Sequence, residues 1–304
     1  MKTLLAKALK KAFRIPADVR FRHELKQVLR PSVNALIGVA GNTLRYIPYP
    51  TKQGRYLLER LNRDNHQYLA MSLPVPPPGV RIAYGDTEEI WLSGGKKNVD
   101  TMMTLLTSTN FTIQKGSRIL DLGCASGRMI RWLADLAEEC EIWGVDIDAR
   151  LIVWCQENLT PPFNFATVTT MPHLPFEDRY FDLIYCGSVF THIDDLADAW
   201  LLEIKRIMRP GGRVFITVGD KHSVDLIMND PDYHVLRSLF LLHDKERNWR
   251  NGNYYKCSML PGDENCHVFY DVEYLRQHWG RVLKIISVAP EAYFFQTAVL
   301  MEKY

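Results

Sequence analysis

A chain of 304 residues, 47% hydrophobic and 24% charged, has enough apolar content for one large core or for a domain with an extension. Its net charge of +2 argues against a dedicated nucleic-acid binder, because polyanions are held by a strong basic surplus. The six cysteines form no CxxC and no His/Cys cluster at zinc spacing, so reduced thiols in a cytosolic core are expected and no metal site is.

Residues 1–30 carry nine Lys/Arg against two acids. Leu4, Leu5, Ala8, Leu9, Ala12 and Phe13 recur at helical spacing, with Lys7, Lys10, Lys11 and Arg14 largely outside that stripe. Such a helix over residues 1–16 suits an anionic membrane surface, and equally the protein's own domain or a partner protomer. It lacks a continuous apolar h-region and a small-residue cleavage site, so no secretion signal is expected, and no apolar run reaches the ~18 residues of a membrane span. The expected location is cytoplasmic, with peripheral membrane contact through the basic helix. Pro74–Gly79 is a stiff connector that divides a helical extension (1–80) from the main domain (81–304).

From there the pattern alternates. Residues 99–110 read as helix, 118–122 as buried strand, 127–138 as helix and 141–147 as strand. Helix 149–158, a short strand in 163–170, strand 181–188, helix 194–208 and strand 213–218 follow. The order predicts an α/β fold, a doubly wound and mostly parallel seven-stranded sheet. The polar stretch 221–265 reads as an insertion over the strand ends. Helix 271–279 and strands 282–288 and 294–301 close the chain, joined near Pro290, which predicts an antiparallel edge strand.

The most informative stretch is Arg118–Arg128, in which a strand ends at Asp121–Leu122 and a Gly-rich turn leads into a helix. Gly123 and Gly127 permit a sharp turn and close approach of a ligand. The pattern is DxGxAxG, not GxGxxG. A carboxylate ahead of the glycines repels phosphate and suits an ammonium group. Asp146 ends the next strand, where an acid accepts hydrogen bonds from ribose hydroxyls. Asp148 competes with it two residues on, and Asp146 itself has an alternative role as a helix N-cap.

Four blocks in order, DLGCASG, GVDID, LPFEDRYFDLIYCGSVFTHI and EIKRIMRPGGRVFIT, resemble the class I S-adenosylmethionine-dependent methyltransferases. The resemblance covers about residues 115–220. It implies S-adenosyl-L-methionine as cofactor and S-adenosyl-L-homocysteine as product. It also implies that Asp121 helps hold the methionine end, and that Gly123, Cys124, Ala125 and Gly127 form the turn. Asp146 and the following Ile147 would meet the ribose, and Thr170 and Met171 the adenine. Cys186 would face the methionine portion through its backbone. Ala125 stands where fuller motifs have Gly, and Thr170 lies near a position where many members carry Asp. Tyr84, Trp91 and a loop at Ser93–Asn98 fall where the family often lids its cofactor, and a core or surface role is the equal alternative.

The chemistry implied is methyl transfer, and an alcohol acceptor then needs a base near the strand ends. His192, after the fourth strand, is the first candidate. His222, after the fifth, is the second. Their alternatives are a packing or capping residue and a polar loop residue. The amino-methylating Asn/Asp-Pro-Pro-aromatic motif is absent after the fourth strand, where Cys-Gly-Ser-Val-Phe stands; Thr160–Phe163 imitates it elsewhere. The expected acceptor is an oxygen or nitrogen of a small molecule, a sugar or a lipid-linked glycan, with no nucleic acid partner. The competing readings are a protein methyltransferase or other reaction on the same cofactor, and a non-catalytic cofactor-binding scaffold. Oligomerisation is left open.

Overall fold

The computed structural model describes residues 73–81, 84–85, 87–243, 256–259 and 266–304. The expected basic helix at 1–16 and most of the 1–80 extension lie outside the described residues.

The element order is α1 (Glu88–Ser108), β1 (Arg118–Leu122), β2 (Glu141–Asp146), α2 (Ala149–Asn158), β3 (Asn164–Thr167), β4 (Phe181–Cys186), α3 (Ala197–Ile207) and β5 (Met208–Asp220). Then come α4 (Lys221–Asn229), α5 (His234–His243), β6 (Lys256–Met259), β7 (His267–Tyr270), α6 (Val272–His278), β8 (Lys284–Tyr293) and β9 (Gln296–Glu302). Strands β3-β2-β1-β4-β5 run parallel in that order. β9 pairs antiparallel with β5 on one side and with β8 on the other. This is the doubly wound, mostly parallel sheet with its antiparallel flank that the strand–helix alternation predicts. The chain reverses between β8 and β9 at Phe294–Phe295, whereas Pro290 lies inside β8.

Parallel strands covered on both faces must be apolar on both. One layer packs α3, through Trp200, Leu201, Ile204 and Ile207, and α6, through Leu275, against Leu120, Val145, Ile184 and Ile216. The opposite layer sets α1, through Val99, Met102 and Leu106, against Ile119, Ile142, Leu183 and Phe215. The buried positions of α1, Trp91, Gly95, Asn98, Val99, Met102 and Leu106, follow a helical stripe.

Three local readings differ from the sequence expectation. The Ser93–Asn98 lid loop is the body of α1. Its glycines mark a close approach, since a Cβ on Gly95 would come within 2.4 Å of the Arg128 carbonyl. Residues 127–138 are not one helix but two short 3-10 segments, Ile130–Leu133 and Asp135–Glu138. The third difference is β7, which no sequence pattern announced. It pairs parallel with the end of β5 (Gly219↔Phe269, Asp220↔Tyr270) and antiparallel with β6, extending the sheet over its carboxyl edge.

Candidate functional site

The carboxyl ends of β1, β2 and β4 converge on one edge. In a doubly wound fold this edge is the crevice where the strand order reverses, between β1 and β4. After β1 the chain makes a turn in which Gly123 and Gly127 both take φ +82°. A Cβ on Gly123 would meet Val189 at 2.3 Å and one on Gly127 would meet Leu159 at 2.5 Å. Backbone conformation and packing thus both demand glycine at these positions. Ala125 also sits in the left-handed region, at φ +47°, in the place where fuller motifs carry glycine. Cys124 and Cys155 thiols lie on the Ala125 carbonyl, at 3.7 and 3.5 Å. Burial pushes the Cys124 thiol up, so it is an inert packing group.

Asp146 closes the turn from the neighbouring strand. Its Oδ2 accepts from Ala125 N and its Oδ1 from Asp148 N, both at 2.8 Å. Asp148 is the N-cap of α2: its Oδ1 accepts from Arg150 N at 3.0 Å, and the carboxylate pairs with the Arg150 guanidinium. The two acids are therefore separated in role, and the capping alternative falls to Asp148. Each Asp146 oxygen keeps a second acceptor position for a ligand hydroxyl. Burial raises its pKa against the pull of the Asp148 and Ala125 amides. Ile147 beside it is exposed.

Asp121 is the most perturbed acid of the edge. It is 3% exposed, its Oδ2 has no hydrogen-bond partner, and its pKa is pushed up to about 8. Burial is the main cause. The Asp146 carboxylate adds to it, while the nearby Tyr185 hydroxyl and Arg128 guanidinium act in the opposite sense. Tyr185 is the register partner of Asp121 on β4, and its hydroxyl is likewise without a partner in hydrogen-bonding geometry. Cys186, next on β4, is fully buried, with its thiol pKa raised by burial; only its backbone can serve a ligand. Thr170 and Met171 are exposed on the rim, two and three residues past Val168, whose N–H donates to Asp146 O at 2.9 Å.

The turn after β4 is held by a closed polar network. Ser188, at φ +61°, donates its N–H to Thr217 Oγ1 at 2.7 Å. Thr217 Oγ1 donates to Gln296 Oε1 at 2.7 Å, and Gln296 Nε2 donates to Ser188 Oγ at 2.8 Å. Thr191 Oγ1 donates to Ser188 O at 3.0 Å, which leaves the Ser188 hydroxyl as donor to Thr191 Oγ1, also at 3.0 Å. β7 grips the same turn from the other side, with Val268 N donating to Thr191 O at 2.8 Å.

His192 ends that turn. Its Nδ1 lies 2.7 Å from Cys266 O, an acceptor only, so Nδ1 carries the proton and Nε2 keeps its lone pair. Part of the side chain faces solvent, and His267 stands beside it at a ring separation of 5.3 Å. Burial lowers the pKa of both rings, that of His267 to about 4. His222 falls elsewhere, in the first turn of α4, with Nε2 2.8 Å from Glu291 Oε1 on an exposed face. Asp220 caps α4: its Oδ1 accepts from Ser223 N and Oγ, and its Oδ2 from Thr297 Oγ1. No group of three or more His, Cys, Asp or Glu among the described residues has a metal-binding arrangement.

Sequence reasoning missed Arg128, Tyr293, Gln296 and the Cys266–His267 pair. Tyr84 is not a free lid but stacks on Phe294 at 5.0 Å, and Trp91 is fully buried in the core. Gly94-Gly95 was the available signal for Arg128, since α1 gives way where that residue packs.

The donor set fits S-adenosylmethionine: a buried carboxyl with an unsatisfied oxygen for an ammonium, and a rim carboxylate for hydroxyls. Residues 120–216 match a family model described as a methyltransferase domain. The ubiquinone/menaquinone biosynthesis C-methyltransferase UbiE of Chromobacterium violaceum is 29% identical over 128 residues, 41% of this chain and 51% of that protein. An uncharacterized 37.1 kDa protein in transposon TN4556 of Streptomyces fradiae is 30% identical over 235 residues, 76% and 62% of the two chains. O-methyltransferase rstn1 of Aspergillus nomiae is 34% identical over 107 residues, covering 34% and 46%. The chain spans about half the length of most of these curated relatives. Among solved structures, magnesium protoporphyrin IX methyltransferase (ChlM) from Synechocystis PCC 6803 with bound SAH superposes with a TM-score of 0.48 at 16% identity, covering 73% of this chain and 91% of that one. The family match falls on the strands whose carboxyl ends hold Asp121 and Asp146, so residues 120–216 are similar to the methyltransferase domain that this model describes.

Proposed function

We propose that the protein transfers a methyl group from S-adenosylmethionine to an oxygen or nitrogen of a small molecule, a sugar or a lipid-linked glycan. The observation that carries the cofactor half of this reading is the pairing of Asp121 and Asp146 at adjacent strand ends. Asp121 would take the ammonium and Asp146 the ribose. The Gly123–Gly127 turn would lie under the cofactor, with Thr170 and Met171 at the adenine rim and the Cys186 backbone along the methionine portion. When bound, the cofactor supplies an activated methyl whose leaving group is a neutral thioether. The chain's own work is to align the acceptor and exclude water.

His192 supports the acceptor half. Cys266 O fixes its Nδ1 proton, so Nε2 is the atom able to take a proton from an acceptor hydroxyl. The lowered pKa keeps that nitrogen unprotonated at neutral pH. His222, tied to Glu291, is the second candidate.

The UbiE relative is named for methylation at carbon, so a carbon acceptor belongs in the screen. The helical extension (1–80) and the basic segment 1–16 remain part of the proposal as a peripheral contact with an anionic membrane. No helix among the described residues is long and apolar enough to cross a membrane. Calorimetric titration with S-adenosylmethionine and S-adenosylhomocysteine tests the pocket, and labelled methyl donor with sugar, phenol, amine, quinone and lipid acceptors tests the reaction. Micromolar binding followed by label transfer to one class establishes the reading. Binding without transfer to any class moves the non-catalytic scaffold to first place.

A further inference from the structure

Strand β7 carries a second histidine to the turn after β4. Two links lace the strand to that turn: Val268 N donates to Thr191 O at 2.8 Å, and His192 Nδ1 donates to Cys266 O at 2.7 Å. His267 stands between the two, on a strand that β5 holds through Gly219↔Phe269 and Asp220↔Tyr270. The imidazoles of His192 and His267 are thereby set side by side, at a ring separation of 5.3 Å. His192 is exposed and His267 half-buried, so both rings open to solvent at the carboxyl edge. The His192 ring is bonded at Nδ1, and the His267 ring makes no hydrogen bond among the described residues.

An oxygen at hydrogen-bond distance from a ring nitrogen lies about 4 Å from that ring's centre, so one oxygen can bridge two rings this close. The two histidines serve such an oxygen differently. His192 Nε2 offers a lone pair. His267, whose pKa burial lowers to about 4, is neutral at pH 7 and carries one N–H. Burial also lowers the His192 pKa, which makes it a weak base. A weak base is matched to an acidic hydroxyl such as a phenol, with an ordinary pKa of about 10, and poorly to the far less acidic hydroxyl of a sugar. We infer that His192 and His267 together hold the hydroxyl oxygen of a phenolic acceptor, His267 donating its N–H to that oxygen as His192 takes the proton. The O–H bond breaks with its electron pair left on oxygen, the atom that is methylated, and the proton passes from Nε2 to solvent. Two N–H donors then converge on the oxygen while it carries negative charge, which makes His267 a catalytic residue. The inference rests on the methyl-transfer reading above and narrows its acceptor.

The test titrates para-nitrophenol, whose phenolate absorbs visible light, into the protein loaded with S-adenosylhomocysteine, at a pH below the probe's own ionisation midpoint. The bound probe is expected to show the phenolate band, with an ionised-to-neutral ratio about tenfold or more above that of the free probe. His267→Phe should lower that ratio by about 10- to 100-fold, the range for a hydrogen bond to a charged group, and His267→Gln, which keeps an N–H, should restore part of it. Methyl glucoside at equal concentration should not displace the probe. A bound probe with the spectrum of the neutral phenol, a phenolate band unchanged in His267→Phe, displacement by the glucoside, or no binding of the probe to the loaded protein would overturn the assignment. The wild-type spectrum decides the matter alone if His267→Phe does not fold. A wild-type protein that does not bind S-adenosylhomocysteine overturns the cofactor reading itself, an outcome distinct from loss of the phenolate band.

Discussion

Gln296 Nε2 donates to Ser188 Oγ at 2.8 Å, joining the first residue of the last strand to the turn that follows β4. With Thr217 they form a ring that closes through the Ser188 backbone N–H, which donates to Thr217 Oγ1, and the direction of each link is fixed. Gln296 is 2% exposed and Thr217 fully buried, so a broken link leaves its partners dry. Gln296→Leu should cost about 1–3 kcal/mol in urea denaturation. A loss under ~0.5 kcal/mol would show that the ring does not stabilise the turn.

Asp146 and Asp148 should separate by phenotype. Asp148→Ala removes a helix cap and should cost about 1 kcal/mol of stability with cofactor affinity intact. Asp146→Ala should weaken cofactor binding, because it deletes the proposed ribose acceptor and frees the Ala125 amide. Unchanged calorimetric affinity in Asp146→Ala would refute its role.

Asp121 predicts the sign of a pH dependence. Its folded pKa of about 8 stands above the ordinary 3.8, so the free protein holds this carboxyl neutral at pH 7. The stability that this contributes is complete below about pH 4 and is lost as pH climbs through about 8. A cofactor ammonium favours the anion, so binding at pH 7 should release a proton, and affinity should rise from pH 6 to 8, by up to about tenfold per unit. Titrations in buffers of different ionisation enthalpy measure that proton. A buffer-independent heat, or the same proton count in Asp121→Asn, would assign the release elsewhere.

Ala125 at φ +47° is disfavoured relative to glycine in the folded state. Ala125→Gly should fold normally and change stability by no more than about 1 kcal/mol, the gain in the left-handed conformation being offset by extra freedom in the unfolded chain. Ala125→Val should lose several-fold more, since a branched Cβ suits that region least. Thermal melts of the two variants give the comparison.

His192→Ala should lower turnover of a hydroxyl acceptor by about 100-fold or more while cofactor affinity stays near wild type. The acid limb of the wild-type rate profile should fall below the ordinary histidine value of 6.5, because burial lowers the His192 pKa. Wild-type turnover in the variant would pass the role to His222, and His222→Ala is then the deciding variant.

The sheet and its turn were legible because their signals are local. Largely apolar runs such as Ile119–Leu122, interrupted by Asp121 alone, and Leu183–Cys186 mark strands buried on both faces, and Gly123 and Gly127 mark a left-handed turn. The position of Asp146 at a strand end was legible through the strand that runs into it, whereas the capping role of Asp148 was not. α1 was misjudged over Ser93–Asn98 because two glycines read as a loop until Arg128 is seen packed on them. The closure of the site was beyond sequence. Ser188 meets Gln296 across 108 positions, His192 meets Cys266 across 74, and Arg128 meets Tyr293 across 165. Spacing rules reach one helical turn or one strand pair. Which distant side chains share a buried edge is decided by the packing of the whole sheet, where an unpaired polar atom is costly and each donor is matched with an acceptor wherever the chain brings one.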